Sequence, residues 1–161
     1  MEEETIKYNY VFLLISLLII SACTSATDLS FNNSETRKSI QRDGSLFTLT
    51  IPRASFNSED SLQIQFEVKY IVPGQKSYVF PNIQQFGFRL TDHLDNTVMY
   101  YPGFFLPAVS RFTLGTGESK TFEYSGEFKD PDGHYIDSGE YKLSAYLMGN
   151  YPEVTLEIVI N

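Results

Sequence analysis

Leu62-Gln63-Ile64-Gln65-Phe66-Glu67-Val68-Lys69-Tyr70 is the stretch that decides the fold. Apolar and polar residues alternate without a break. Successive side chains of an extended chain point to opposite faces, so this order gives one dry face (Leu62, Ile64, Phe66, Val68, Tyr70) and one wet face. The same period recurs on either side. Phe47, Leu49 and Ile51 alternate with Thr48 and Thr50 before Pro52, and Phe86, Phe88 and Leu90 alternate with Gly87, Arg89 and Thr91. Tyr141, Leu143, Ala145 and Leu147 form a further run, and Val154, Leu156, Ile158 and Ile160 the last. Shorter extended segments are expected at 77–80, 97–101, 109–114 and 120–124. Pro73-Gly74, Asp92-His93-Leu94-Asp95-Asn96, Gly115-Thr116-Gly117-Glu118, Asp130-Pro131-Asp132-Gly133 and Gly149-Asn150 supply turn chemistry between them. About eight or nine short strands, spaced by roughly 8–15 residues and with no amphipathic helix, point to an all-β, antiparallel sandwich. A small closed barrel and a jelly roll are the alternatives.

A second signal favours the sandwich. Asp137-Ser138-Gly139-Glu140-Tyr141 resembles the tyrosine corner of immunoglobulin-like domains. The resemblance implies that Tyr141 turns its hydroxyl back onto upstream backbone, with Leu143 where an antibody domain has its second Cys. An ordinary turn followed by a core Tyr is the plainer alternative.

Residues 60 to 148 resemble the domain of the BsuPI-type intracellular proteinase inhibitors. The resemblance rests on the long alternating strand at 62–70, on Phe86-Gly87-Phe88-Arg89-Leu90-Thr91-Asp92, on Val98 and Tyr100, on Gly117-Glu118, and on Gly139-Glu140-Tyr141-Lys142-Leu143-Ser144-Ala145. Tyr100 and Phe128 stand where that family suggests Trp, and Asp95-Asn96 replaces a turn with Gly. The resemblance implies an immunoglobulin-like sandwich. It implies protease inhibition only loosely, because function resides in sites carried on folds rather than in folds.

The amino-terminal end sets the address. Val11-Phe12-Leu13-Leu14-Ile15-Ser16-Leu17-Leu18-Ile19-Ile20 is too short to span a bilayer, which takes roughly 20 apolar residues. It has the length of a signal-peptide apolar region. Ile20-Ser21-Ala22-Cys23 resembles a bacterial lipobox, which implies cleavage between Ala22 and Cys23 and acylation of Cys23, the one Cys in the chain. Glu2, Glu3 and Glu4 outweigh Lys7, against the usual positive start of a signal. The expected organisation is a lipoprotein signal peptide at 1–22, a lipidated Cys and flexible tether at 23–44, and a β-sandwich at 45–161. A helical turn at 34–40 is a minor alternative within the tether. By analogy with lipoproteins, Thr24 after the Cys favours the outer membrane in a two-membrane cell.

With 12 basic and 20 acidic residues the chain carries a net charge of −8. It stays acidic once Lys7 and the three leading Glu are gone, which argues against nucleic acid as a partner. With no second Cys, packing must hold the domain, and 13 Phe and 11 Tyr supply the bulk for it. Nothing marks an enzyme or a cofactor site. His93 and His134 lie in turns with no partners at ligand spacing. Asp130-Pro131-Asp132-Gly133 faintly resembles a calcium loop, but Phe128 would be its first ligand and Gly139 stands where the bidentate Glu belongs, so a plain turn is preferred.

The stretch Tyr100-Tyr101-Pro102-Gly103-Phe104-Phe105-Leu106-Pro107 is the candidate partner-binding loop, with Tyr101, Phe104, Phe105 and Leu106 as its contact residues. The alternative is that Phe104, Phe105 and Leu106 fold over an open end of the sandwich as core. Three functions follow in order. The first is a lipid-anchored cell-envelope module presenting loops to a protein partner, a protease being one candidate. The second is a proteinase inhibitor acting through residues 101–108 or 129–138. The third is an accessory or assembly subunit that uses an unpaired sheet edge.

Overall fold

A computed structural model describes residues 35–161. The leader expected at 1–22, its cleavage point at Ala22 and Cys23, and residues 23–34 of the expected tether lie outside the described residues. Among the described residues there is no helix, and the chain is an all-β sandwich. One sheet has the order β1 (Thr36–Arg42), β2 (Ser45–Ile51), β4 (Ser61–Tyr70), β9 (Ser119–Glu127). The other has the order β3 (Ser55–Phe56), β11 (Glu153–Ile160), β10 (Gly139–Leu147), β6 (Phe86–Thr91), β7 (Thr97–Tyr101). β5 (Gln75–Phe80) and β8 (Ser110–Gly115) pair as a separate ribbon. Every pairing is antiparallel except that of β3 with β11.

The period of two in the sequence becomes the burial pattern. Leu62, Ile64, Phe66 and Val68 of β4 are sealed, as are Phe88 and Leu90 of β6, Leu143, Ala145 and Leu147 of β10, and Val154 and Ile158 of β11. Each such side chain contributes about 1.5–3 kcal/mol when it leaves water. Rings join the two sheets. Phe86 lies 5.6 Å from Phe66 and 5.7 Å from Phe122, while Phe88 meets Tyr124 edge-on at 4.6 Å. The ribbon adds Tyr78, stacked on Phe112 at 4.6 Å, with its hydroxyl hydrogen-bonded to Ser45 Oγ at 2.6 Å.

Two strands go beyond the nine segments expected. β3 is short, but it buries Phe56 against Phe128. β1 corrects the tether boundary at 44 and displaces the helical turn weighed at 34–40. Its seven residues pair in unbroken register with β2, from Thr36↔Ile51 to Arg42↔Ser45. The cause is the two-residue turn Asp43-Gly44, in which both residues have positive φ (50° and 73°). That conformation matches the twist of the flanking strands and closes a tight hairpin. Pairing satisfies the backbone groups of β1 that face β2, joins Ser39 Oγ to Thr48 Oγ1 at 2.8 Å, and packs Ile40 against the core. At the β6–β7 turn, Asp95 itself takes φ 62°, a left-handed position in which Asp is tolerated.

Tyr141 lies in β10 with its ring buried and its hydroxyl donating to the backbone carbonyl of Asp137 at 2.8 Å. The contact ties the entry of β10 to the end of the preceding loop. Gly139 precedes it beneath the ring, and Leu143 is fully buried one turn of the pleat further on.

Tyr141→Phe keeps the ring and removes the donor. It is expected to cost about 1–2 kcal/mol and to lower the melting temperature by roughly 3–6 °C, read by circular dichroism. Gly44→Ala puts a Cβ into the left-handed region and 2.7 Å from Val72 Cγ2. It is expected to cost about 1–2 kcal/mol, seen as a lower urea midpoint with an unchanged slope.

Candidate partner-binding site

The segment between β7 and β8 starts at a cis Tyr101–Pro102 bond and is fastened to residues 81–85. Ile83 N–H donates to the Leu106 carbonyl at 3.2 Å, and Leu106 N–H donates to Gln84 Oε1 at 3.0 Å. Ser110 Oγ donates to the Asn82 carbonyl at 2.7 Å, and Gln85 Nε2 donates to Ser110 Oγ at 3.1 Å. Gln85 also accepts from Lys120 Nζ at 2.9 Å, whose ammonium lies 4.6 Å from the Phe112 ring centre.

On this support Phe104 is 68 % exposed, Phe105 56 % and Leu106 47 %, with Val109 and Ile83 exposed beside them. Of the two arrangements open to these residues, the protruding patch is the one adopted. The end of the sandwich is already closed by Phe86, Phe88, Tyr101, Phe122 and Tyr124, so Phe104, Phe105 and Leu106 are not needed as core. Tyr101 differs from the other three candidates. It lies on the face of β7 that carries buried Met99, stacks on Phe88 at 5.9 Å and touches Tyr124 at 5.2 Å, and is still 38 % exposed. Exposed apolar groups clustered on a firm base are the form a protein-binding surface takes.

Two shallow cavities flank the Tyr101–Tyr124 contact. One, of about 300 Å³, is lined by Ile83, Gln84, Gln85, Phe86, Tyr101, Phe122 and Glu123. The other, of about 440 Å³, is lined by Met99, Tyr100, Gly103, Tyr124 and Pro131, with the ion pair Glu127–Lys129 and Asp130 at its side. Burial, aided by the neighbouring Tyr101, pushes the Tyr124 hydroxyl above the ordinary tyrosine range. No sequence motif announces these cavities; the half-polar pattern of 119–127 is their only trace.

The second loop weighed for inhibition, 129–138, is organised from within. Asp130 Oδ1 accepts from the backbone N–H of Asp132 at 2.9 Å and of His134 at 2.8 Å. The His134 amide, chiefly, holds the Asp130 carboxyl below its usual range. Asp130, Asp132 and His134 bring donor atoms within 4.8 Å of one another, the one group of three metal-type donors among the described residues. Its central carboxylate already serves the backbone, and Phe128 is buried in the core rather than at a ligand position. Asp92 plays the same part beside His93, accepting from Leu94 and Asn96, both at 2.9 Å.

The chain matches the family model described as BsuPI, intracellular proteinase inhibitor, over residues 49–151. No curated protein matches it. Among solved structures it is similar to a β-glucosidase from Listeria innocua in complex with isofagomine (14 % identity, TM-score 0.42, 79 % of this chain and 16 % of that one). It is also similar to the β-glucosidase EmGH1 from Erythrobacter marinus (16 % identity, TM-score 0.44, 80 % and 15 %). A third is the alkylpurine DNA glycosylase AlkC from Pseudomonas fluorescens bound to DNA (13 % identity, TM-score 0.44, 69 % and 28 %). The chain thus spans a small part of each of these proteins, and likeness this distant carries nothing about activity. The family match covers well over half of the chain, from within β2 to the turn just before β11, and on that ground the chain belongs to the BsuPI intracellular proteinase inhibitor family.

Proposed function

We propose that this domain is a binding module that presents the loop 102–109 to a protein partner, and that Cys23 tethers it by lipid to the cell envelope. The observation that carries the first half is the exposure of Phe104, Phe105 and Leu106 on a hydrogen-bonded base, beside a core that is complete without them. Family membership favours a protease as the partner class. An inhibitor must offer a loop that enters a cleft without rearranging, and two prolines bracketing Gly103-Phe104-Phe105-Leu106 restrict this one before it binds. The family description names an intracellular protein, whereas the leader read at 1–22 points outside the cytoplasm. The fold suits either compartment because it needs no disulfide.

A panel of serine proteases assayed with the purified domain tests the inhibitor reading. Nanomolar inhibition is expected to weaken by about 100-fold or more in the double variant Phe104→Ser, Phe105→Ser, with its melting curve unchanged because both rings face water. Inhibition that survives this variant would move the contact to 129–138, and no inhibition of any protease would leave a binder of another protein. For the anchor, mass spectrometry of the native product is expected to find an amino terminus at Cys23 with acyl chains. A product that begins at Met1 without lipid would remove the envelope from the proposal.

A further inference from the structure

Among the described residues the sandwich has four edge strands, and they are not equally protected. β1 carries Arg37, Lys38 and Arg42, β3 has two residues, and β7 has five, a register irregularity at Leu90/Thr91 and Pro102 at its end. Such charges, short lengths and interruptions are how natural sheets discourage further pairing. β9 has nine residues, no proline and an unbroken register against β4. One device guards it: Lys120 points inward near its start, beside Phe112 and Phe122.

The direction of its backbone groups follows from one contact. Tyr70 N–H donates to the Glu118 carbonyl at 3.0 Å, and its carbonyl accepts from Gly117 N–H at 2.7 Å, so the amide groups of Tyr70 face β9. Direction alternates along a strand, so Val68, Phe66, Ile64 and Leu62 also face β9. Their partners Lys120, Phe122, Tyr124 and Gly126 face back. Thr121, Glu123 and Ser125 therefore aim their N–H and C=O groups away from the sheet, and among the described residues these groups take no backbone partner. The two cavities beside Phe122 and Tyr124 lie along the same edge.

We propose that the edge of β9 from Thr121 to Ser125 accepts an extended segment of a partner protein, apolar on alternate residues and basic on those between. Added as a further strand, the segment pairs with the three outward peptide groups. Its inward side chains, about 7 Å apart, drop into the cavities on either side of the Tyr101–Tyr124 contact. Its outward side chains lie beside Thr121, Glu123 and Ser125. Glu123 is exposed and takes part in no ion pair among the described residues, so a Lys or Arg beside it gains an opposite charge. A second copy of this acidic chain fits less well, because it brings Glu123 and Glu127 toward their own counterparts. The surface adjoins the exposed loop, since Ile83 and Gln84 line one cavity and Gly103 the other, but it uses none of Phe104, Phe105 and Leu106.

The probe is a short synthetic peptide that alternates lysine with valine or phenylalanine, titrated into the 15N-labelled domain. Shifts are expected at residues 121–127, with slowed amide exchange at Thr121, Glu123 and Ser125. A peptide N-methylated along one backbone edge is expected to bind about 10-fold more weakly or worse, and one with glutamate for lysine likewise. Glu123→Pro removes an outward donor without touching the β4 ladder and is expected to abolish binding. Should that variant misfold, the N-methylated peptide tests the same edge on the unaltered chain, through the carbonyls of Thr121, Glu123 and Ser125 that accept from the peptide. The double variant Phe104→Ser, Phe105→Ser is expected to bind the peptide normally, which separates this edge from the loop. Equal binding of the N-methylated or the glutamate peptide, shifts at 36–42 or 97–101 instead, or no shift at millimolar peptide would overturn the proposal. A dimer in sedimentation that Glu123→Pro dissolves would assign the edge to a second copy and overturn it as well.

Discussion

Phe86 holds together the end of the molecule that matters. Its ring lies against Phe66 and Phe122 of the facing sheet and close to Phe88 and Tyr101 of its own. A sandwich can seal its middle with aliphatic side chains, but at its margin the two sheets diverge and only large rings bridge the gap. Because Phe86, Phe122, Tyr101 and Tyr124 close that margin, the connection from β7 to β8 is spared from serving as core. Its own aromatics can then face water, and a filled margin and an exposed loop are two results of one packing solution.

The strands that were legible in the sequence are those whose two faces meet different surroundings. β4 alternates in burial as it alternates in polarity, and β11 does the same. β1 left no such mark, since Ile40 is the one large apolar residue among Thr36, Arg37, Lys38, Ser39, Gln41 and Arg42. It exists because of pairing rather than burial, and the signal for it was the Asp43-Gly44 dipeptide, whose joint positive φ dictates a two-residue hairpin. β3 was hidden for a different reason. Two residues cannot show a period, and Phe56 is fixed by its contact with Phe128, a partner far along the chain.

The site divides along the same line. Composition placed Phe104, Phe105 and Leu106 between prolines, but whether they turned inward depended on how well other residues filled the margin, which no local pattern records. Tyr101 looked like its neighbours in sequence and differs from them in the fold, because its register opposite Phe88 points it toward the core. The turn at 130–134 was legible as a turn. Its carboxylate geometry follows directly, since an Asp side chain that accepts from amides two and four residues on is an acceptor already in use.

A filled margin has one further consequence. The rings that close the sandwich between β7 and β9 shield its interior but satisfy no peptide group. At β9 the backbone therefore faces outward over apolar side chains that are only half covered. Water can solvate those amides, but it gains nothing from Phe122 or Tyr124. An extended chain gains from both at once, through hydrogen bonds at Thr121, Glu123 and Ser125 and through apolar contact in the flanking cavities. Lys120 blocks one end of the edge by pointing its charge inward, and Glu123, in no ion pair among the described residues, places a negative charge at the centre. An edge closed at its start and acidic at its middle selects against the chain's own acidic strands and in favour of a basic one.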